Sequence, residues 1–126
     1  MELQKNKDDY IEQGRLIQRY RESLLKKIIG TQTKTVEFEG HEVYAINAPG
    51  IFADDLGNIL AIKKPPFAVV WSQTNEKIRF SLRSVGDFDV NIITKKYSGG
   101  GHKNAGAFSL PTGSPFPWKI INKNEK

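Results

Sequence analysis

The sequence predicts an α/β fold of the α+β kind, a mixed sheet of about five strands flanked by helices and preceded by a long N-terminal helix. Three observations predict it. Apolar residues recur at helical spacing over residues 8–29, they alternate with polar ones in several short segments further on, and the two patterns then take turns along the chain.

In the first segment Tyr10, Ile17, Tyr20, Leu24 and Ile28 share one helical face. Asp9 and Glu12 are spaced as a capping box, Glu22 precedes Lys26 by one turn, and Lys26 and Lys27 complement the C-terminal dipole before Gly30. Such a stripe needs a surface to cover, either the following sheet or something outside this chain. Residues 35–39 and 41–47 alternate around Gly40 and predict a hairpin. Pro49-Gly50 breaks that pattern, and Phe52, Leu56, Ile59 and Leu60 predict a second helix over 52–62, with Asp54 and Asp55 in its first turn. After Lys63-Lys64-Pro65-Pro66, residues 67–72 read as a sheet-centre strand, which assigns Trp71 to the core. Residues 77–83 alternate, with Ile78, Phe80 and Leu82 opposite Arg79, Ser81 and Arg83. Val90, Ile93 and Tyr97 predict a third helix over 87–97, ending at Gly99-Gly100-Gly101. A last strand spans 107–110, and Pro111, Gly113, Pro115 and Pro117 predict an irregular tail.

The 126 residues suit one domain, and 38% apolar with 26% charged residues fits a folded chain that buries a core. No apolar run is long enough to cross a bilayer and the N-terminus is polar where a signal peptide would be apolar, so the expected location is the cytoplasm. The chain has no Cys, which excludes disulfides, zinc-thiolate sites and thiol nucleophiles. Its 19 Lys and Arg against 14 Asp and Glu leave a charge of +5, which favours anionic partners.

The strongest candidate site is the segment 98–104, Ser-Gly-Gly-Gly-His-Lys-Asn. Gly99, Gly100 and Gly101 free the backbone to turn its N–H groups inward as a nest for an anion. His102, Lys103 and Asn104 add donors, and a helical turn opening at 103–106 would add free amides. Arg83, at a strand end and pointing off the core, suits bidentate contact with phosphate, and Ser84 offers both hydroxyl and amide. No catalytic or metal-ligating residue is assigned. His41 sits at a turn, Asp54/Asp55 and Asp87/Asp89 sit at helix starts where capping explains them, and neither a nucleophile elbow nor a P-loop is present.

Taken together, Phe80-Ser81-Leu82-Arg83-Ser84, Asp89-Val90 and the run from Ser98 through Gly-Gly-Gly-His-Lys-Asn-Ala-Gly-Ala to Phe108 resemble the DHHA1 domain, the C-terminal half of DHH-family phosphoesterases. The segment 47–57 resembles the helix-opening stretch of oligoribonuclease-like and cyclic-nucleotide phosphodiesterase-like members, and the resemblance spans about 36–110. It implies that Arg83 and Ser84, with Gly99, Gly100, Gly101 and His102, hold substrate phosphates, and Lys103 and Asn104 join this set by their donor chemistry. In the family a separate N-terminal domain bears an Asp-His-His motif and a pair of manganese ions. This sequence has no Asp-His-His, so residues 1–30 are expected to be a linker helix to such a domain and 31–126 the substrate-binding domain. The chain is then expected to be a fragment, inactive alone, with no cofactor of its own. Its expected partners are a short oligonucleotide or a linear or cyclic dinucleotide and the DHH domain, with no membrane. Two departures touch the loop path: Ser98 stands where many members have glycine, and Ala105-Gly106-Ala107-Phe108 reorders the usual Ala-Ala-Gly-Phe. A second reading is a non-catalytic RNA-binding module similar to the C-terminal domain of alanyl-tRNA synthetases, motivated by Arg15, Arg19 and Lys26. A third is homodimerisation through the helix stripe.

Overall fold

The structure, a computed structural model, describes residues 2–121, with side chains from Asp8 onward. The chain divides into two compact units, Met1–Thr31 and Gln32–Lys126.

The first unit is the helix α1 (Glu2–Gln32). It extends past both expected ends, so Asp9 and Glu12 lie inside it and form no capping box; Glu12 pairs instead with Arg15 at 3.7 Å. Gly30 does not stop the helix, whose last turn carries no basic residue. Thr31 returns its hydroxyl to the Lys27 carbonyl at 2.9 Å, a local bond that a threonine supplies within a helix without ending it.

The second unit is a seven-stranded sheet in the order β5-β6-β4-β3-β2-β1-β7. Strands β1 (Thr33–Phe38) and β2 (His41–Asn47) form the expected hairpin, and its two-residue turn has both φ angles positive, 52° at Glu39 and 81° at Gly40. A one-turn 3-10 segment (Gly50–Phe52) leads into α2 (Ala53–Lys63), which carries the chain across to β3 (Phe67–Gln73). That crossover makes β2 and β3 the parallel pair of the sheet. β4 (Lys77–Ser84) then runs antiparallel to β3 and, on its other side, to β6 (Ala105–Pro111).

The sheet has more strands than expected for two reasons. The glycine run forms an edge strand, β5 (Gly100–His102), and the proline-rich tail closes on β1 with β7 (Lys119–Ile120). The expected helix over 87–97 is reduced to α3 (Asn91–Thr94) and a 3-10 turn (Lys95–Tyr97). The Val90 amide is spent on the Lys103 carbonyl at 2.8 Å, and the Asp89 carboxylate takes the Asn91 amide at 2.9 Å, so the helix begins only there.

One sheet face buries Val36, Phe38, Val43, Phe67, Val69, Ile78, Phe80, Leu82 and Phe108 under Val90 and Ile93. Phe108 stacks between Phe80 and Tyr97, with ring centroids 4.8 and 4.4 Å away, and Trp118 sets its edge on Phe80 at 5.3 Å. Trp71, expected in the core, is half-buried at its margin. The opposite face packs α2 through Leu56, Leu60 and Ala61 against β3 and β4. Twelve of the largest side chains are under 2% exposed, so substitutions here are felt through packing before chemistry.

Candidate phosphate-binding site

The site is built by strand register. His102 pairs with Ala105, and Ala105 pairs with Arg83. Residues directly opposite in neighbouring strands project to the same face, so His102, Ala105 and Arg83 form one rank across β5, β6 and β4. With strands spaced about 4.8 Å apart, the outer members stand on the order of 10 Å apart along the sheet. The next rank on that face is Gly100, Ala107 and Ser81. A floor of glycine, alanine and serine therefore lies between an arginine and a histidine. α2 covers β3 and β4 on this face, and Ala105 and Ala107 are half-open while Gly106 and Phe108, facing the other way, are buried.

Arg83 lies on the face of β4 opposite the aromatic core, as expected, and that face meets α2. Its stem lies across Gly57: a Cβ there would press on Arg83 Cγ and stand 2.8 Å from Arg83 Cβ. Nε donates to Asp54 Oδ1 at 2.8 Å and Nη1 donates to the Leu82 carbonyl at 2.9 Å. The arginine side chain is 16% exposed and that of Asp54 80%, so Asp54 holds one edge of the guanidinium while remaining hydrated. Asp54 sits in the first turn of α2, where it complements the helix dipole, and it is also the partner of Arg83, 29 residues away.

Ser84 is expected to offer its donors to a ligand, and here both are committed internally. Its hydroxyl donates to the Phe88 carbonyl at 2.7 Å and accepts from Asn104 Nδ2 at 2.8 Å, while its amide donates to the Asn104 carbonyl at 3.1 Å. Asn104 gives its second amide hydrogen to the Gly86 carbonyl at 3.2 Å. These two residues fasten the β5–β6 turn to the end of β4. Neither Nδ2 hydrogen of Asn104 is left for an anion.

The glycines also act differently from the expected nest. Residues 103–106 open no helical turn: Lys103 and Asn104 are the loop of a tight hairpin between β5 and β6. Gly99 donates its amide to the Thr94 carbonyl at 2.8 Å and is glycine because a Cβ would reach the Ala107 carbonyl and stand 2.6 Å from Phe108 Cβ. Gly101 has φ 143°, and a Cβ there would stand 2.6 Å from Gly106 Cα. Asn91 Nδ2 donates to the Gly101 carbonyl at 3.2 Å, a support that sequence reasoning missed because its partner is a backbone atom. His102 and Lys103 are exposed. Lys103 Nζ reaches Asp87 at 3.2 Å, and the His102 imidazole makes no hydrogen bond or ion pair among the described residues.

Among the described residues no group of three His, Cys, Asp or Glu side chains gathers, and Asp54, Asp87 and Asp89 are each engaged by Arg83, Lys103 and the Asn91 amide. Nor is any helix long and apolar enough to cross a membrane among those residues.

The second unit is thus a mixed α/β sheet whose β5, β6 and β4 place a histidine and an arginine at either end of a small-residue floor. The model of the DHHA1 domain matches residues 34–119, and the chain belongs to that family. It is 30% identical over 99 residues to the uncharacterized protein R106 of Acanthamoeba polyphaga mimivirus, a match that covers 72% of this chain and 23% of the relative. Among solved structures it resembles an exopolyphosphatase-related protein of Bacteroides fragilis, at 25% identity and a TM-score of 0.55 over 75% of this chain and 30% of the other. The pGpG-specific phosphodiesterase PggH of Vibrio cholerae shares the fold at 16% identity and a TM-score of 0.53, over 75% of this chain and 34% of the other. The chain thus spans between 23% and 34% of the length of these proteins.

Proposed function

We propose that this domain binds the phosphates of a short oligonucleotide or dinucleotide and presents the ester to manganese ions held by a DHH domain. The observation that carries the reading is the Arg83, Ala105 and His102 rank, which sets two donor side chains about a diphosphate's reach apart over a floor that a ligand can approach closely. The names of the two structural relatives, a pGpG phosphodiesterase and an exopolyphosphatase-related protein, support a phosphate-bearing substrate. Within the site, Arg83 grips through the guanidinium edge that Asp54 leaves open, and His102 and Lys103 add charge from the turn. The exposed edge of β5 supplies backbone amides. Ser84 and Asn104 hold the turn in place. No group here activates water, so the division of labour is that this domain grips while the metal domain cuts.

The test is a titration with 5′-phosphorylated diadenylate, following backbone amide resonances. Saturable shifts are expected at Gly100, Gly101, His102 and Lys103, and Arg83→Gln is expected to raise Kd about 10- to 100-fold, the worth of a lost charge-assisted hydrogen bond. No shift at saturating ligand refutes the site. Turnover by this chain with added Mn²⁺ refutes the division of labour, and a preference for long RNA that falls steeply with salt favours the RNA-binding reading instead.

A further inference from the structure

On the sheet face opposite the proposed phosphate floor lies a half-open cleft of about 330 Å³. It is closed beneath by the buried Val36 and Ala45 of β1 and β2, and the exposed Ile120 of β7 lines its rim. Its walls are aromatic. The tail leading to β7 brings Phe116 against Trp71, ring centroids 4.8 Å apart at 77°, and seats Trp118 beside Phe116 at 5.4 Å. The cationic group at the cleft is Lys34, which is exposed and makes no ion pair among the described residues.

We propose that this cleft binds a single purine nucleotide, the base against the aromatic walls and a terminal phosphate on Lys34. Aromatic walls favour a flat ring, since stacking on indole adds to the burial of apolar surface. An unpaired ammonium beside an apolar recess complements one negative group, and a wholly neutral ligand would leave it unused. The volume is at the low end of small-ligand pockets, which admits one nucleotide and excludes a stacked pair. Arg83 lies on the other face of β4, so this site is separate from the phosphate floor and goes beyond the function proposed above.

Both tryptophans of the chain line the cleft, so the intrinsic tryptophan emission reports on this place alone. Adenosine monophosphate is expected to quench that emission saturably, and adenosine to do so more weakly. Lys34→Gln, an exposed substitution that leaves the fold intact, is expected to raise Kd for the monophosphate about five- to tenfold and to leave adenosine unchanged. Arg83→Gln is expected to change neither titration. Comparing the monophosphate with 5′-phosphorylated diadenylate separates a free nucleotide from the end of an oligonucleotide: equal quenching means the terminal nucleotide is what the cleft takes, and quenching by the monophosphate alone means the free one. Absence of quenching by both overturns the proposal, as does insensitivity to Lys34→Gln. If quenching fails while diadenylate still shifts the amides of residues 99–104, the cleft falls and the phosphate floor stands.

Discussion

Replacing Ser84 by alanine separates a ligand-binding serine from one that fastens the fold. The residue is 5% exposed, donates to the Phe88 carbonyl at 2.7 Å and accepts from Asn104 at 2.8 Å. Truncation removes both bonds and strands the Phe88 carbonyl, a loss of about 1–3 kcal/mol for a buried group deprived of its partner. Asn104 is exposed and regains water, so its share is small. A net destabilisation of about 2 kcal/mol is expected, roughly 30-fold in the folded-to-unfolded ratio and about 8–16 °C in Tm for a unit of this size. Urea unfolding followed by circular dichroism and by tryptophan emission measures it. Asn104→Ala should cost only about 0.5 kcal/mol, and the double variant little more than Ser84→Ala alone, because the two substitutions break one shared bond. A cost below about 0.5 kcal/mol for Ser84→Ala, or full additivity in the double variant, would show that the hydroxyl is idle in the free protein, and the fastening role would be wrong.

Four further substitutions test the structure. Gly57→Ala sets a methyl group against the Arg83 stem and is expected to cost about 1–3 kcal/mol in urea unfolding while weakening diadenylate binding through the displaced guanidinium; unchanged affinity would mean that Arg83 does not grip from this position. Gly101→Ala, at φ 143° and with its Cβ against Gly106, is expected to peel β5 from β6, seen as lost hydrogen-exchange protection in that hairpin with the rest of the sheet still protected. The Lys96 and Tyr97 hydrogen bonds to Glu39 hold its carboxyl below the usual range, while burial and then Glu39 push Tyr97 up to about 12. A depressed carboxylate contributes stability above its unfolded value near pH 4.3 and loses it as pH falls through the lower folded value. A raised phenol contributes below about pH 10 and loses it as pH rises toward 12. Glu39→Gln is therefore expected to flatten the acid limb of the stability profile and Tyr97→Phe the alkaline limb.

Elements with a strong period were readable from sequence. Phe52, Leu56 and Leu60 announced α2, and the alternation from Ile78 to Arg83 announced β4 with the correct faces. The glycine strand carried no such pattern, since glycine has no side chain to alternate, and β7 is too short to show one. Val90, Ile93 and Tyr97 have helical spacing, yet spacing says nothing of an amide already engaged by Lys103. Arg83 and His102 were legible as residue types with an affinity for phosphate. That they share a rank depends on the register of β5, β6 and β4, which arises from pairings across the whole second unit. The partners that decide how the other residues act, Asp54 for Arg83 and Asn104 for Ser84, lie 29 and 20 residues away, beyond the reach of any local pattern.

The two margins of the sheet are strands of three and two residues among those described. A row of unpaired amides and carbonyls is a template on which a foreign strand can add, and a short margin gives such an intruder few bonds for the entropy it loses. At one side the glycines make that loss larger still. At the other, β7 pairs with Val36 and Glu37 and so occupies the middle of the outer edge of the six-residue β1. Two residues of tail thus break what would otherwise be a six-residue edge open to the addition of another strand.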